Sequence, residues 1–364
     1  MTGSPEDLAD DFGLDSDRLA RVDSLLETWT STGVIPAASY ILGRHGRVIA
    51  PRFFGHVDGQ NLFLSASITK PLTVLAAMML VERGSLTLDD RVADILPTFA
   101  QAGKGEVRIR HLMTHTSGLP DMLPENDALR AEHATTEEFQ AAIDATPLRF
   151  VPGTQVRYQS MGTATLGSIV RAVSGTTLPS FLTSEVFGPL GMHDTWLGTP
   201  LAEQSRVAPV RISPEQAATD WHWNSAYWLG FGAPWGGLTT TASDYGKLCR
   251  LMLDQGRVGA TRLIAPATVG AMTRNQIAPM VTIPELDRQH RPWGLGWRLS
   301  WPGSSAFFGD LLGPRAYGHW GATGTLCWID PDADAFAVVL TTLPPGDQGT
   351  HLARISNALA ACLT

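Results

Sequence analysis

Strand-forming segments in this chain lie near its two ends, and the long middle reads as helices and loops. A-A-S-Y-I-L at 37–42 and V-I-A-P-R-F-F at 48–54 flank R-H-G, the pattern of a β-hairpin. Strand signals return only in G-L-G-W-R-L-S (294–300), G-T-L-C-W-I-D (324–330) and A-F-A-V-V-L-T-T (335–342). The acidic turn D-P-D-A-D joins the last two as a second hairpin. The simplest way to bury both sets is one antiparallel sheet built from both chain ends, with a helical insertion on one side. The expectation is therefore an α+β fold. Residues 15–75 and 290–364 would form a discontinuous sheet domain, and 76–289 a mostly helical inserted domain. The cleft between them would hold the site.

Helical spacing supports that division. Leu19, Val22, Leu25, Leu26 and Trp29 recur from Ser16 onward until Gly33 ends the pattern. Ser67 to Arg83 reads as a helix closed by Gly84, with Pro71 tolerated because it lies in the first turn. Thr163–Val173, Thr177–Phe187 and Ala242–Asp254 are the clearest middle helices. A closing helix carries Leu352, Ile355, Leu359 and Leu363. Residues 1–14, acidic and polar, read as a loose arm.

Several function classes are disfavoured. A net charge of −8 argues against nucleic acid and anionic membrane surfaces as partners. The longest apolar run, Val74 to Val81, falls well short of the roughly 18 residues of a membrane span. The start of the chain lacks the basic and apolar character of a signal peptide, so a cytoplasmic protein is expected. Cys249, Cys327 and Cys362 are odd in number and set among apolar residues, which reads as buried reduced thiols.

One short stretch carries chemistry. In L-S-A-S-I-T-K-P-L-T (64–73), Ser67 precedes Lys70 by three positions at the start of a helix. Positions i and i+3 share a helix face, so the serine hydroxyl and the lysine amine would meet there. Ser67 would be a nucleophile and a neutral Lys70 its proton acceptor. Neutrality has to be imposed, since free lysine has a pKa near ~10.4. Chance places a Ser-x-x-Lys in about one such chain in six, so the motif alone is weak. Its placement says more: this is one of three lysines in the chain, and only apolar or small residues follow it to Val81. Ser65 and Thr69 read as structural neighbours.

Two further stretches complete a set: V-P-G-T-Q-V-R-Y-Q-S-M-G (151–162) with Tyr158, and Y-G-H-W-G-A-T-G-T (317–325). With S-I-T-K, these resemble the three motifs of the serine β-lactamase and penicillin-binding-protein superfamily. The class C-like branch of esterases, D-amino-acid peptidases and acyltransferases is the nearest likeness. L-T-L-D-D-R-V-A-D-I-L-P (86–97), V-R-I-R-H-L-M-T-H-T-S-G-L-P (107–120) and A-P-W-G-G-L-T-T-T-A-S-D-Y (233–245) are also similar to that family.

The resemblance implies a β-lactamase/transpeptidase-like fold, an acyl-enzyme on Ser67, and no cofactor. Lys70 takes or relays the proton. Tyr158, its phenol made acidic by Lys70, shares the base role and later protonates the leaving group. His319 supplies a cationic or hydrogen-bonding group that supports the tyrosine. The N–H groups of Ser67 and Ala322 form the oxyanion hole. Gly321 lets the strand edge approach the substrate. His111 and His115 have helical metal-ligand spacing but no evident third ligand, and no metal is expected.

Two positions depart from the family pattern. Ser160 stands where much of the family has asparagine, and a hydroxyl offers a substrate amide less than a carboxamide does. Trp320 is bulky beside a bound acyl group. Both lean toward an ester, or a specialised acyl donor, as the small-molecule partner. The stretch W-H-W-N-S-A-Y-W-L-G-F-G-A-P-W (221–235) holds six aromatics. It reads either as core or as an apolar substrate wall through Trp223, Trp228 and Trp235. Hydrolysis and transfer of the acyl group to an alcohol or amine both remain open from sequence.

Overall fold

The computed structural model describes residues 13–299, 307–346 and 350–364. A seven-stranded antiparallel sheet runs through its centre. Its strands are β1 (Ala37–Arg44), β2 (Arg47–Val48), β3 (Arg52–Gly55), β4 (Arg298–Leu299), β5 (Tyr317–Gly321), β6 (Thr325–Asp330) and β7 (Ala335–Thr341). The order across the sheet is β2-β1-β7-β6-β5-β4, with β3 also paired to β1. The two chain ends thus meet at the β1–β7 pair, where Tyr40 faces Val339 and Ile41 faces Val338.

Strand alternation explains why these segments are apolar on both faces. Ile41, Cys327, Ile329, Phe336, Val338 and Leu340 enter the main core. Tyr40, Leu42, Leu326, Trp328, Ala337 and Val339 enter a second core on the opposite face. That second core is capped by helices α1 (Ser16–Ser31) and α5 (Thr350–Ala360). In the first core α2 (Lys70–Glu82) and α3 (Met161–Ser174) pack together, and α4 (Ala242–Leu253) lies against the sheet.

The first hairpin turns at His45 and Gly46, both at positive φ, as a tight two-residue turn requires. Its second arm breaks between Val48 and Arg52, around Pro51, which has no N–H for the ladder. The expected strand over 294–300 is much shorter, Arg298–Leu299, and Ser300 lies outside the described residues. Gly296 has a φ of 74° and donates to the Met113 carbonyl, which turns the backbone out of the sheet. Residues 1–12 of the expected arm also lie outside the described residues. Leu14, by contrast, is buried and bridges Leu363. A small sheet of Phe63–Leu64, Leu238–Thr240 and Trp196–Leu197, not foreseen from sequence, leads directly into the Ser67 turn.

Helix α2 is buried on every side from Lys70 to Leu80, the mark of a helix at the centre of a domain. No helix among the described residues is long and apolar enough to cross a membrane. The three cysteines are buried free thiols.

Candidate active site

Ser67 is the one residue between Leu62 and Leu80 that is not fully buried. It sits in a single 3₁₀ turn, Ala66–Thr69, that runs straight into α2. Ala66 has a φ of 46°, an uncommon conformation for a non-glycine residue, so the backbone kinks just before the serine. Thr69 holds the turn from inside, its hydroxyl donating to the Ala66 carbonyl at 2.6 Å. Ser65 and Thr69 are both buried, in keeping with structural roles.

Lys70 Nζ lies 2.9 Å from Ser67 Oγ and 3.0 Å from the carbonyl of Trp235. It is 1% exposed. Burial pulls its pKa down to about 7, against the smaller opposing pull of the Asp121 carboxylate. A neutral amine fits these partners: one N–H donates to Trp235, and the lone pair faces the Ser67 hydroxyl. The other lysines serve packing. Lys104 donates to the carbonyls of Asp144 and Thr146, and Lys247 pairs with Asp244.

Tyr158 comes from an extended segment tied to the loop after His111. Arg157 N–H donates to the His115 carbonyl, and Gln159 N–H to His115 Nδ1. The phenol ring is boxed by His115, Trp320, Trp293 and His319, with centroids 4.7 to 6.0 Å away. Lys70 Nζ sits 4.9 Å from the ring centroid. The expected acidic phenol is not what this setting produces. Burial drives its pKa far above the ordinary value, Asp121 adds to the rise, and the Ser67 hydroxyl offsets only part. Ser67 lies beside the Tyr158 hydroxyl without hydrogen-bond geometry, and Oη has no partner among the described residues. Lys70 is not among the groups that lower the phenol's pKa.

The cationic alternative for His319 fails on the same physics. The ring is fully buried, and burial, assisted by Lys70, lowers its pKa to about 3. Its Nδ1–H donates to the Trp320 carbonyl at 2.8 Å, which leaves Nε2 an acceptor with no partner among the described residues. The imidazole is a neutral hydrogen-bonding group. His111 and His115 are used locally, each accepting from a main-chain N–H through Nδ1. No cluster of three or more metal-ligating side chains occurs among the described residues.

The edge of β5 is stapled to the nucleophile turn. Thr323 and Thr325 hydroxyls donate to the carbonyls of Leu64 and Ser65 at 2.6 and 2.7 Å. A Cβ on Gly321 would lie 2.4 Å from the Ser65 carbonyl and 3.2 Å from the Ala66 Cβ. Only glycine allows so close an approach. It brings Ala322, exposed beyond the strand end, onto the same cleft as Ser67. The Ser67 N–H belongs to the first turn of a helix, where no intrahelical acceptor exists.

The cleft encloses about 440 Å³ and is lined by Ser67, Tyr158, Ser160, Trp320 and Ala322. Trp223, Trp228 and Trp235 form another part of its wall. Trp228 and Trp235 also pack into the main core, so the aromatic stretch contributes both to the core and to the cleft lining. Ser160 donates its hydroxyl hydrogen to Asp121 Oδ1 at 2.7 Å, leaving only its oxygen lone pairs for a ligand. Asp121, Arg130 and Trp293 escaped the sequence reading, and His115 entered it only as a candidate metal ligand. Asp121 follows a recognised motif, S-G-L-P, by one residue; nothing in the sequence distinguishes Arg130 from a surface arginine.

Fold and cleft together define a serine hydrolase of the β-lactamase/transpeptidase type. The Beta-lactamase family model matches residues 21–361, and the chain belongs to that family. Escherichia coli K12 has a relative named "Putative D-alanyl-D-alanine carboxypeptidase", 26% identical over 91% of this chain and 84% of its own length. A penicillin-binding-protein homolog from Caulobacter crescentus superposes with a TM-score of 0.78 at 26% identity, covering 95% of this chain and 98% of its own. EstCE1, described as a hydrolase with promiscuous acyltransferase activity, shares the fold with a TM-score of 0.76 at 22% identity, over 94% and 98% of the two chains.

Proposed function

We propose that the protein cleaves a carboxylic ester, or less readily an amide, through an acyl-enzyme on Ser67. The observation that carries this reading is the 2.9 Å contact between Ser67 Oγ and a buried Lys70 poised near pH 7. In this mechanism Ser67 Oγ attacks the acyl carbon as its proton passes to Lys70 Nζ. The carbonyl oxygen gathers charge against the N–H groups of Ser67 and Ala322. The bond to the leaving group then breaks, and the neutral Tyr158 phenol gives that group a proton, which Lys70 replaces. Water repeats the sequence in reverse and frees the acid.

Preference for an ester over an amide follows from Ser160. Its hydrogen is committed to Asp121, so it offers no donor to an amide carbonyl of a penicillin-like or D-alanyl substrate. Intact mass spectrometry after exposure to an ester panel tests the proposal. A mass increment on the wild type that is lost in Ser67→Ala is expected. An increment that persists in Ser67→Ala, or inertness toward both esters and a fluorophosphonate, would overturn it.

A second reading rests on the tryptophan wall. Trp223, Trp228 and Trp235 make the cleft partly apolar, which protects an acyl-enzyme from water and favours transfer to an alcohol or amine. Product analysis with competing acceptors separates the two. Water outcompeting every acceptor would remove the transferase.

A further inference from the structure

Arg130 lies on the short helix Asn126–Ala131 and lines the same cleft as Ser67. Its guanidinium stacks on Trp228 with Cζ 3.8 Å from the ring centroid, and on Trp221 at 5.4 Å. Nε and Nη2 are buried and have no acceptor among the described residues. No carboxylate among the described residues lies within ion-pair distance. Asp127, adjacent on the helix, accepts instead from the Asn126 amide at 2.8 Å. Burial lowers the arginine's pKa only to about 10, so it stays charged at neutral pH.

A buried guanidinium without a counter-charge is costly, and stacking on indole repays only part. The two unpaired nitrogens form one edge of the guanidinium, the edge that grips both oxygens of a carboxylate. Arg130 is itself partly exposed to the cleft, so a turn of its terminal torsions would bring that edge to a ligand. The protein carries a net charge of −8, which repels anions in general. An isolated cation in the cleft is what would admit one. Asp121 is the opposing charge on this cleft, and it is engaged by Ser160 and acts on Lys70 and Tyr158. At neutral pH the charge that bears on Arg130 is that of Asp127, because burial keeps the neighbouring Tyr227 phenol protonated.

We propose that Arg130, backed by Trp228, is the seat of a carboxylate carried by the substrate, so that the preferred ester is an anionic one. This deepens the hydrolase reading and rests on it. The test compares kcat/KM for esters with a carboxylate on either side of the scissile bond. These are 4-nitrophenyl hydrogen glutarate and 4-acetoxybenzoate, each set against its neutral methyl ester. Wild type should favour at least one anion over its neutral partner by about tenfold or more. In Arg130→Gln that ratio should fall toward one, and in Arg130→Lys, which keeps the charge without the fork, to an intermediate value.

No preference in the wild type, or a ratio that Arg130→Gln leaves intact because both esters lose alike, would overturn the proposal and leave Arg130 a packing residue. If the glutamine variant fails to fold, the lysine variant decides by the same ratio. Benzoate titrated against tryptophan fluorescence in Ser67→Ala gives a readout that needs no turnover. A saturable change that Ser67→Ala/Arg130→Gln loses supports the carboxylate seat even if the hydrolase reading fails. No saturable change in Ser67→Ala counts against it.

Discussion

The amine of Lys70 donates to the main-chain carbonyl of Trp235, 165 residues further along the chain, at 3.0 Å. This bond helps hold the amine beside Ser67. With one N–H held by the carbonyl, the amine also contacts Ser67 Oγ, 2.9 Å away. The carbonyl also neutralises nothing, so burial is free to lower the pKa.

The pH dependence of acylation follows from that lowering. Lys70 works as a base only when unprotonated, so the acylation rate should rise with pH through a midpoint near its pKa of about 7. The Asp121 carboxylate favours the protonated form. Asp121→Asn should therefore move the midpoint to lower pH, by up to about one unit. Stopped-flow rates with a 4-nitrophenyl ester from pH 5 to 9 measure both; a shift to higher pH would contradict the electrostatic account.

Stability should carry the same signature with its own sign. The unfolded chain holds a proton on Lys70 up to about pH 10.5, whereas the folded chain releases it near 7. Between those values stability due to this group rises with pH. Lys70→Met removes the cost of burying the amine and should raise stability at pH 7 by about 1–3 kcal/mol, while abolishing turnover. Thermal melts at pH 7 and pH 10 check this, and the gain should shrink at the higher pH.

Tyr158→Phe keeps the ring between His115 and Trp320 and deletes only an unpaired hydroxyl. Acylation by esters should fall by about 10²–10⁴-fold as the proton donor is lost. Stability should hold or improve by about 1 kcal/mol, because a buried hydroxyl without a partner is removed. A parallel loss of both would point to a packing role for the tyrosine alone.

Gly321→Ala drives a methyl group against the Ser65 carbonyl and Ala66. The edge of β5 must then retreat from the nucleophile turn, carrying Ala322 with it. A drop in kcat of about 10²–10³-fold is expected, the scale of a lost oxyanion donor, with a stability loss of about 1–3 kcal/mol. Steady-state kinetics beside denaturant titration separates the two effects.

Much of the fold was legible because strand periodicity is local. The continuous apolar runs at 37–42 and 335–342 mark segments that need cover on both faces, and pairing the two ends in one sheet is the simplest way to supply it. The short strands at Phe63–Leu64 and Leu238–Thr240 were not legible, since two or three residues carry no readable period. Gly296 likewise removed the first half of the expected strand at 294–300 through a backbone conformation that its neighbours do not reveal.

The sequence by itself determined the family, the antiparallel sheet drawn from both ends, and the set of Ser67, Lys70, Tyr158 and His319 that meet around one cleft. Those are matters of residue type and spacing, which the chain carries openly. The tertiary structure alone decided the protonation states. Lys70 lies near neutrality, Tyr158 is a reluctant acid and His319 is uncharged because each is buried among groups remote in sequence. It also decided that Ser160 answers to Asp121, and that Arg130 finds no counter-ion among the described residues. Electrostatic free energy depends on what surrounds a charge in space, and the surroundings of these groups exist only once residues hundreds of positions apart have packed together.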